Sequence, residues 1–178
     1  MCFNAPKNWQ LGWYSDKQVT ASPSGCTESR LYGIADYGNP NAGTVIVRIQ
    51  GSEEDWYVSF NLQTGINSGT KEGGNQVLVH KRPTGTGTGR APSELMAKLN
   101  SGGTYAGAPL PIQVTFIVPT ALPGVFPVAC ASVKIGTCAR FLTPSPSCIG
   151  GGYACLQNSD FGVEDSSKWK VDLQLGTL

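Results

Sequence analysis

Six cysteines (Cys2, Cys26, Cys130, Cys138, Cys148, Cys155), one histidine (His80) and 12 carboxylates are the side chains of this 178-residue chain that could cross-link, hold a metal or catalyse. Zinc sites use Cys-x-x-Cys pairs or closely placed histidines, whereas the four C-terminal cysteines are separated by 7, 9 and 6 residues. Disulfides are therefore the expected use, and with them an oxidising compartment. The clustering suggests Cys2 with Cys26 and two bridges within Cys130 to Cys155. His80 ends a strand-like run and is followed by Lys81 and Arg82. It is expected as a sheet-surface or partly packed histidine, since one imidazole cannot build a catalytic zinc centre. The acidic clusters Glu53-Glu54-Asp55 and Glu164-Asp165 read as solvated surface or a weak calcium site, and neither has the EF-hand pattern. A hydrolase elbow Gly-x-Ser-x-Gly is missing. The glycines of Pro83-Thr-Gly-Thr-Gly-Thr-Gly-Arg90 do not form a phosphate-binding loop either. No catalytic, cofactor-binding or metal-binding residue is assigned in this chain.

The elements that would carry these side chains are short. Charged residues make up 14% of the chain, below the roughly 25% usual in soluble domains, while 23 Gly and 12 Pro favour many turns over long helices. Period-two alternation marks strands at Thr44–Ile49, Trp56–Phe60, Gln76–His80 and Ile112–Val118, and more weakly at Val125–Cys130 and Trp169–Leu175. In the first, Val45, Val47 and Ile49 share one face and Ile46 and Arg48 the other, as in half-buried antiparallel sheet. An N-terminal helix is predicted from Asn4 as cap, Pro6 in the first turn and Gly12 as stop. Trp9 and Trp13, four residues apart on it, would point the same way, with Phe3 packed before them. A second short helix is predicted between Pro92-Ser93 and Gly102-Gly103, with Leu95, Met96 and Leu99 as its apolar side. Pro83 to Arg90 is expected as an exposed loop. The fold expected is mainly β: an antiparallel sandwich or meander with two short helices.

A net charge of +1 without Lys/Arg clusters gives no footprint for nucleic acid or an anionic membrane. No apolar run has the length of a membrane span, and the first residues lack the order of a signal peptide, so any secretion signal is expected upstream.

Two blocks carry a family resemblance. Cys2-Phe-Asn-Ala-Pro-Lys-Asn-Trp-Gln-Leu-Gly-Trp-Tyr14 resembles the helix and exit turn that close the catalytic domain of gametolysin-type zinc metallopeptidases. Asp55-Trp-Tyr-Val-Ser-Phe-Asn-Leu-Gln-Thr-Gly-Ile-Asn-Ser-Gly-Thr70, continuing through Glu72 to His80, is similar to that family's next segment, with paired strands around Asn-Ser-Gly-Thr. The family's His-Glu-x-x-His or Gln-Glu-x-x-His helix has no counterpart here, so no zinc ligand is carried over. The resemblance implies that residues 1–16 are the terminal helix of a catalytic domain lying upstream and that residues 17–178 are a β-rich C-terminal domain with a disulfide-bonded tail (130–155). It also implies a secreted zinc endopeptidase acting on extracellular matrix or cell-wall glycoproteins, with zinc in the full-length parent and none in this chain. Trp9, Leu11 and Trp13 would form the packing seam with the upstream catalytic subdomain. The rival reading is a self-standing disulfide-bonded β-sandwich that binds carbohydrate or protein, with Trp56, Tyr57 and Tyr153 as a stacking platform.

Overall fold

A computed structural model describes residues 4–22, 25–84, 91–120 and 128–138. After helix α1 (Ala5–Gln10), alternating sequences form β1 (Gln18–Thr20), β2 (Cys26–Tyr32), β3 (Ile46–Ile49), β4 (Glu54–Asn61), β5 (Gln76–Pro83), β6 (Glu94–Leu99), β7 (Thr104–Tyr105), β8 (Ile112–Val118) and β9 (Cys130–Gly136). They make a five-stranded sheet in the order β1-β3-β4-β5-β6 and a four-stranded sheet in the order β2-β9-β8-β7. Every pairing is antiparallel except β1 with β3. Residues Met1–Ala139 belong to one compact unit; the second, Arg140–Leu178, lies outside the described residues.

Alternation fixes what faces the core. Val47 and Ile49 of β3, Trp56, Val58 and Phe60 of β4, and Val77 and Val79 of β5 share one core cluster with Ile112, Val114, Val133 and Ile135 of the other sheet. Each such side chain removed from water is worth about 1.5–3 kcal/mol. The mainly β sandwich expected from the sequence is thus the fold observed.

Several details differ from expectation. Glu94–Leu99 is strand β6, not a helix, and pairs with β5 through Val77↔Leu99 and Val79↔Ala97. The spacing of Leu95, Met96 and Leu99 fits either state, and a helix so short is marginal without strong packing. Pairing with an existing strand satisfies its backbone instead. β2 escaped notice because its inward positions Thr27 and Ser29 are polar and only Leu31 is fully buried. Cys26 is bridged to Cys138, not to Cys2, because the register places Cys26 opposite Gly136, two residues from Cys138. Cys130 is a buried free thiol, its pKa raised by burial and partly offset by Arg30. Cys2, Phe3, Val125–Pro127, Cys148, Tyr153, Cys155, Glu164-Asp165 and Trp169–Leu175 lie outside the described residues, as do positions 85–90 of the expected Pro83 to Arg90 loop. Pro83 itself ends β5.

Candidate functional site

Helix α1 covers part of the outer face of the five-stranded sheet, over β4 and β5. Asn4 caps it, its side-chain oxygen accepting from Lys7 N at 3.2 Å, and Pro6 lies in the first turn where its missing N–H costs nothing. The helix packs on β4 and β5, burying Ala5, Pro6 and Asn8. Its end at Gln10, followed by Gly12 at φ +70°, separates the two tryptophans that were expected to share a direction. Trp9 is partly buried against Ala5, Val45, Ile46 and Tyr57, its ring edge-on to Tyr57 at 5.9 Å, whereas Trp13 remains 48% and Leu11 51% exposed. The anticipated seam of Trp9, Leu11 and Trp13 is therefore divided.

On the face that α1 packs against, β3, β4 and β5 present Ile46 and Leu78 together with polar residues, of which Asp55, Tyr57, His80 and Arg82 are buried. The register aligns Arg48 with Tyr57, Tyr57 with His80, Asp55 with Arg82 and Ser59 with Leu78. Arg48 Nη2 donates to Asp55 Oδ2 at 2.8 Å, and its guanidinium lies 5.6 Å from the Trp9 ring centre, a cation–π contact. Asp55 is thus a buried ion-pair partner, not the solvated carboxylate or calcium ligand that Glu53-Glu54-Asp55 suggested. Glu54, its neighbour, pairs with Lys81 at 3.0 Å. Burial first, and then the charge of Asp55, raise the pKa of the Tyr57 phenol.

His80 is the unusual member. It is 6% exposed, its Nδ1 has no hydrogen-bond partner, and burial lowers its pKa to about 4. It is therefore neutral at pH 7, because solvation that would favour the imidazolium is missing.

The same face opens into a pocket of about 600 Å³, within the range of small-molecule sites. Ala5 of α1, Ile34, Ile66 and Leu78 supply apolar lining, and Ser59, Asn67, Thr70, Lys71 and His80 supply polar groups. One wall is the connection between β4 and β5, containing Asn67-Ser-Gly-Thr70 and braced by side-chain amides. Gln63 Nε2 donates to the Thr70 carbonyl at 2.9 Å, Asn61 Nδ2 to the Gly73 carbonyl at 3.0 Å, and the Gln63 N–H to Asn75 Oδ1 at 3.0 Å. Asn67 Nδ2 donates to Asn61 Oδ1 at 3.3 Å. Sequence reasoning missed this pocket, whose only signal was the density of Asn, Gln, Ser and Thr between two strands.

The residues do not fit a catalytic zinc centre. His80 is the single histidine, and the metal-type cluster found among the described residues is Cys26, Glu28 and Cys138, whose two sulfurs are joined in the disulfide. The proposed stacking platform is also overturned at two positions. Trp56 lies in the core beside Tyr105, with ring centres 5.8 Å apart, and Tyr57 lies beneath Trp9, so neither offers a face to a sugar. Among the described residues no helix is long and apolar enough to cross a membrane. No protein family, curated protein or solved structure compared with this chain matches it.

Proposed function

We propose that this chain is the non-catalytic C-terminal portion of a secreted, gametolysin-like zinc metalloendopeptidase, and that an upstream subdomain of the same polypeptide hydrolyses extracellular matrix or cell-wall glycoproteins. The observation that carries the non-catalytic reading is that the single histidine, His80, is buried and belongs to no group of three or more metal-ligating side chains among the described residues. The motif blocks at Cys2 to Tyr14 and Asp55 to His80 supply the family. Leu11 and Trp13, exposed just beyond α1, are consistent with a surface that packs against a preceding subdomain. The Cys26–Cys138 bridge agrees with an oxidising compartment.

The test is to incubate the purified chain with zinc and a casein-type substrate, and to measure bound metal. No cleavage and no stoichiometric zinc are expected; chelator-sensitive proteolysis by pure material would refute the proposal. Reading the open frame upstream of Met1 tests the parentage, because a His-Glu-x-x-His sequence is expected there.

A second reading, a self-contained binding module, is favoured by one specific observation: Trp9 packs on this chain's own Tyr57 and Arg48. In that case α1 is an integral layer of the sandwich and the pocket beside it is the working surface.

A further inference from the structure

The pocket beside α1 is selective in its charge. Among the described residues Lys71 is the only lining residue charged at neutral pH, and none of the described lining residues is a carboxylate. Lys71 takes part in none of the ion pairs among the described residues; the adjacent Glu72 pairs instead with Lys98 at 3.5 Å. An exposed ammonium with no counter-ion among the described residues, lining a partly apolar pocket, favours an anionic ligand.

The rest of the lining narrows the class. One cation without an arginine fork suits a singly charged carboxylate better than a phosphate dianion, which usually recruits several cationic donors. The Ser59 and Thr70 hydroxyls and the neutral His80 ring add hydrogen-bonding groups without adding charge. Opposite needs are met by Ile34, Leu78 and Ile66, the last 67% exposed although it lines the pocket. Such an aliphatic side chain on an amide-braced loop gains by being covered. A sugar would want an open aromatic face, and the one aromatic lining residue, Phe60, has its side chain in the sandwich core.

We propose that this pocket binds a carboxylate bearing an aliphatic group, with Lys71 taking the charge and Ile34, Ile66 and Leu78 covering the hydrocarbon. The inference goes beyond the peptidase parentage and does not depend on it, since a cleavage assay does not report on this site. The carboxylate comes either from a free aliphatic acid or from the C-terminal residue of a polypeptide.

The experiment is calorimetric titration of the full chain with three probes: 4-methylpentanoate, a pentapeptide ending in leucine with a free carboxylate, and the same peptide as its C-terminal amide. A free-carboxylate probe should bind, and the amide should bind at least about tenfold more weakly, the scale of one charge-assisted hydrogen bond. Lys71→Gln, an exposed substitution outside the core, should weaken the carboxylate probe about tenfold without changing the melting temperature. Ile66→Ser should weaken it as well. Tighter binding of the peptide than of 4-methylpentanoate assigns the chain terminus, and the reverse assigns the free acid; either order upholds the carboxylate site. Equal affinity for acid and amide peptides, no binding of any probe at millimolar concentration, or indifference to Lys71→Gln overturns the proposal.

Discussion

The two faces of the five-stranded sheet are built from the same strands and solve burial in opposite ways. On the inner face Val47, Ile49, Trp56, Val58, Phe60, Val77 and Val79 meet a second sheet and need nothing but contact. On the outer face Arg48, Asp55, Tyr57, His80 and Arg82 are covered in part by helix α1 and must find partners for their polar atoms. They do so incompletely: Asp55 Oδ1, Arg48 Nε and His80 Nδ1 are buried without a hydrogen bond. Unsatisfied groups of this kind cost roughly 1–3 kcal/mol each, so stability comes from the inner face and the outer face draws on it. The pocket opens on this costly side.

The comparison is broken first by mutating the dry face. Ile49→Ala, at a fully buried inward position, should cost about 2–5 kcal/mol in urea unfolding. Leu78→Ala on the opposite face, partly buried at the pocket, should cost less than half as much. Equal costs would show that the two faces carry the fold alike.

Acid sharpens the same contrast through His80. Its pKa falls from the ordinary 6.5 to about 4 in the folded chain, so between these values the unfolded chain binds the extra proton and stability rises with pH. Its contribution is fully present above pH 6.5 and is lost as pH falls toward 4. The loss amounts to about 3 kcal/mol once pH is below the folded value. Replacing His80 with Gln should flatten this part of the stability profile, measured by denaturant unfolding at successive pH values. A wild-type profile with no slope in that window would place the imidazole in solvent.

How much of this was readable in advance follows from what alternation encodes. The Asn4 cap, the Pro6 turn and the Gly12 stop define α1 by local chemistry alone, and Ile112–Val118 is a strand with the predicted bounds. Within β3 alternation placed Val47 and Ile49 on one face and Ile46 and Arg48 on the other, but Val45, expected with Val47 and Ile49, precedes the strand and packs instead in the cluster of Ala5, Ile46 and Tyr57. It cannot say what covers a face. Asp55 therefore read as solvated surface and His80 as a sheet-surface or partly packed histidine, although both are buried. β2 was hidden for the opposite reason: Thr27 and Ser29 face inward without being apolar, and the cysteine that begins the strand finds its partner 112 residues away. The pocket was unreadable because its lining comes from α1, the Ile34 turn and the β4–β5 connection, segments that only the packed sheet brings together.

Trp9 and Trp13 make the smallest and most informative comparison, because the same residue type stands on a docked helix and just beyond its end. The central claim is that α1 is a layer of this sandwich, with Trp9 sealing the polar face and Trp13, beyond the helix end, half exposed. Urea unfolding of Trp9→Ser and Trp13→Ser, each against the parent chain, tests it directly. Trp9→Ser should cost about 1–3 kcal/mol by uncovering Tyr57 and Arg48, and Trp13→Ser should stay within about 0.5 kcal/mol. If both substitutions leave stability unchanged, α1 does not seal this sheet and the account of the outer face is wrong.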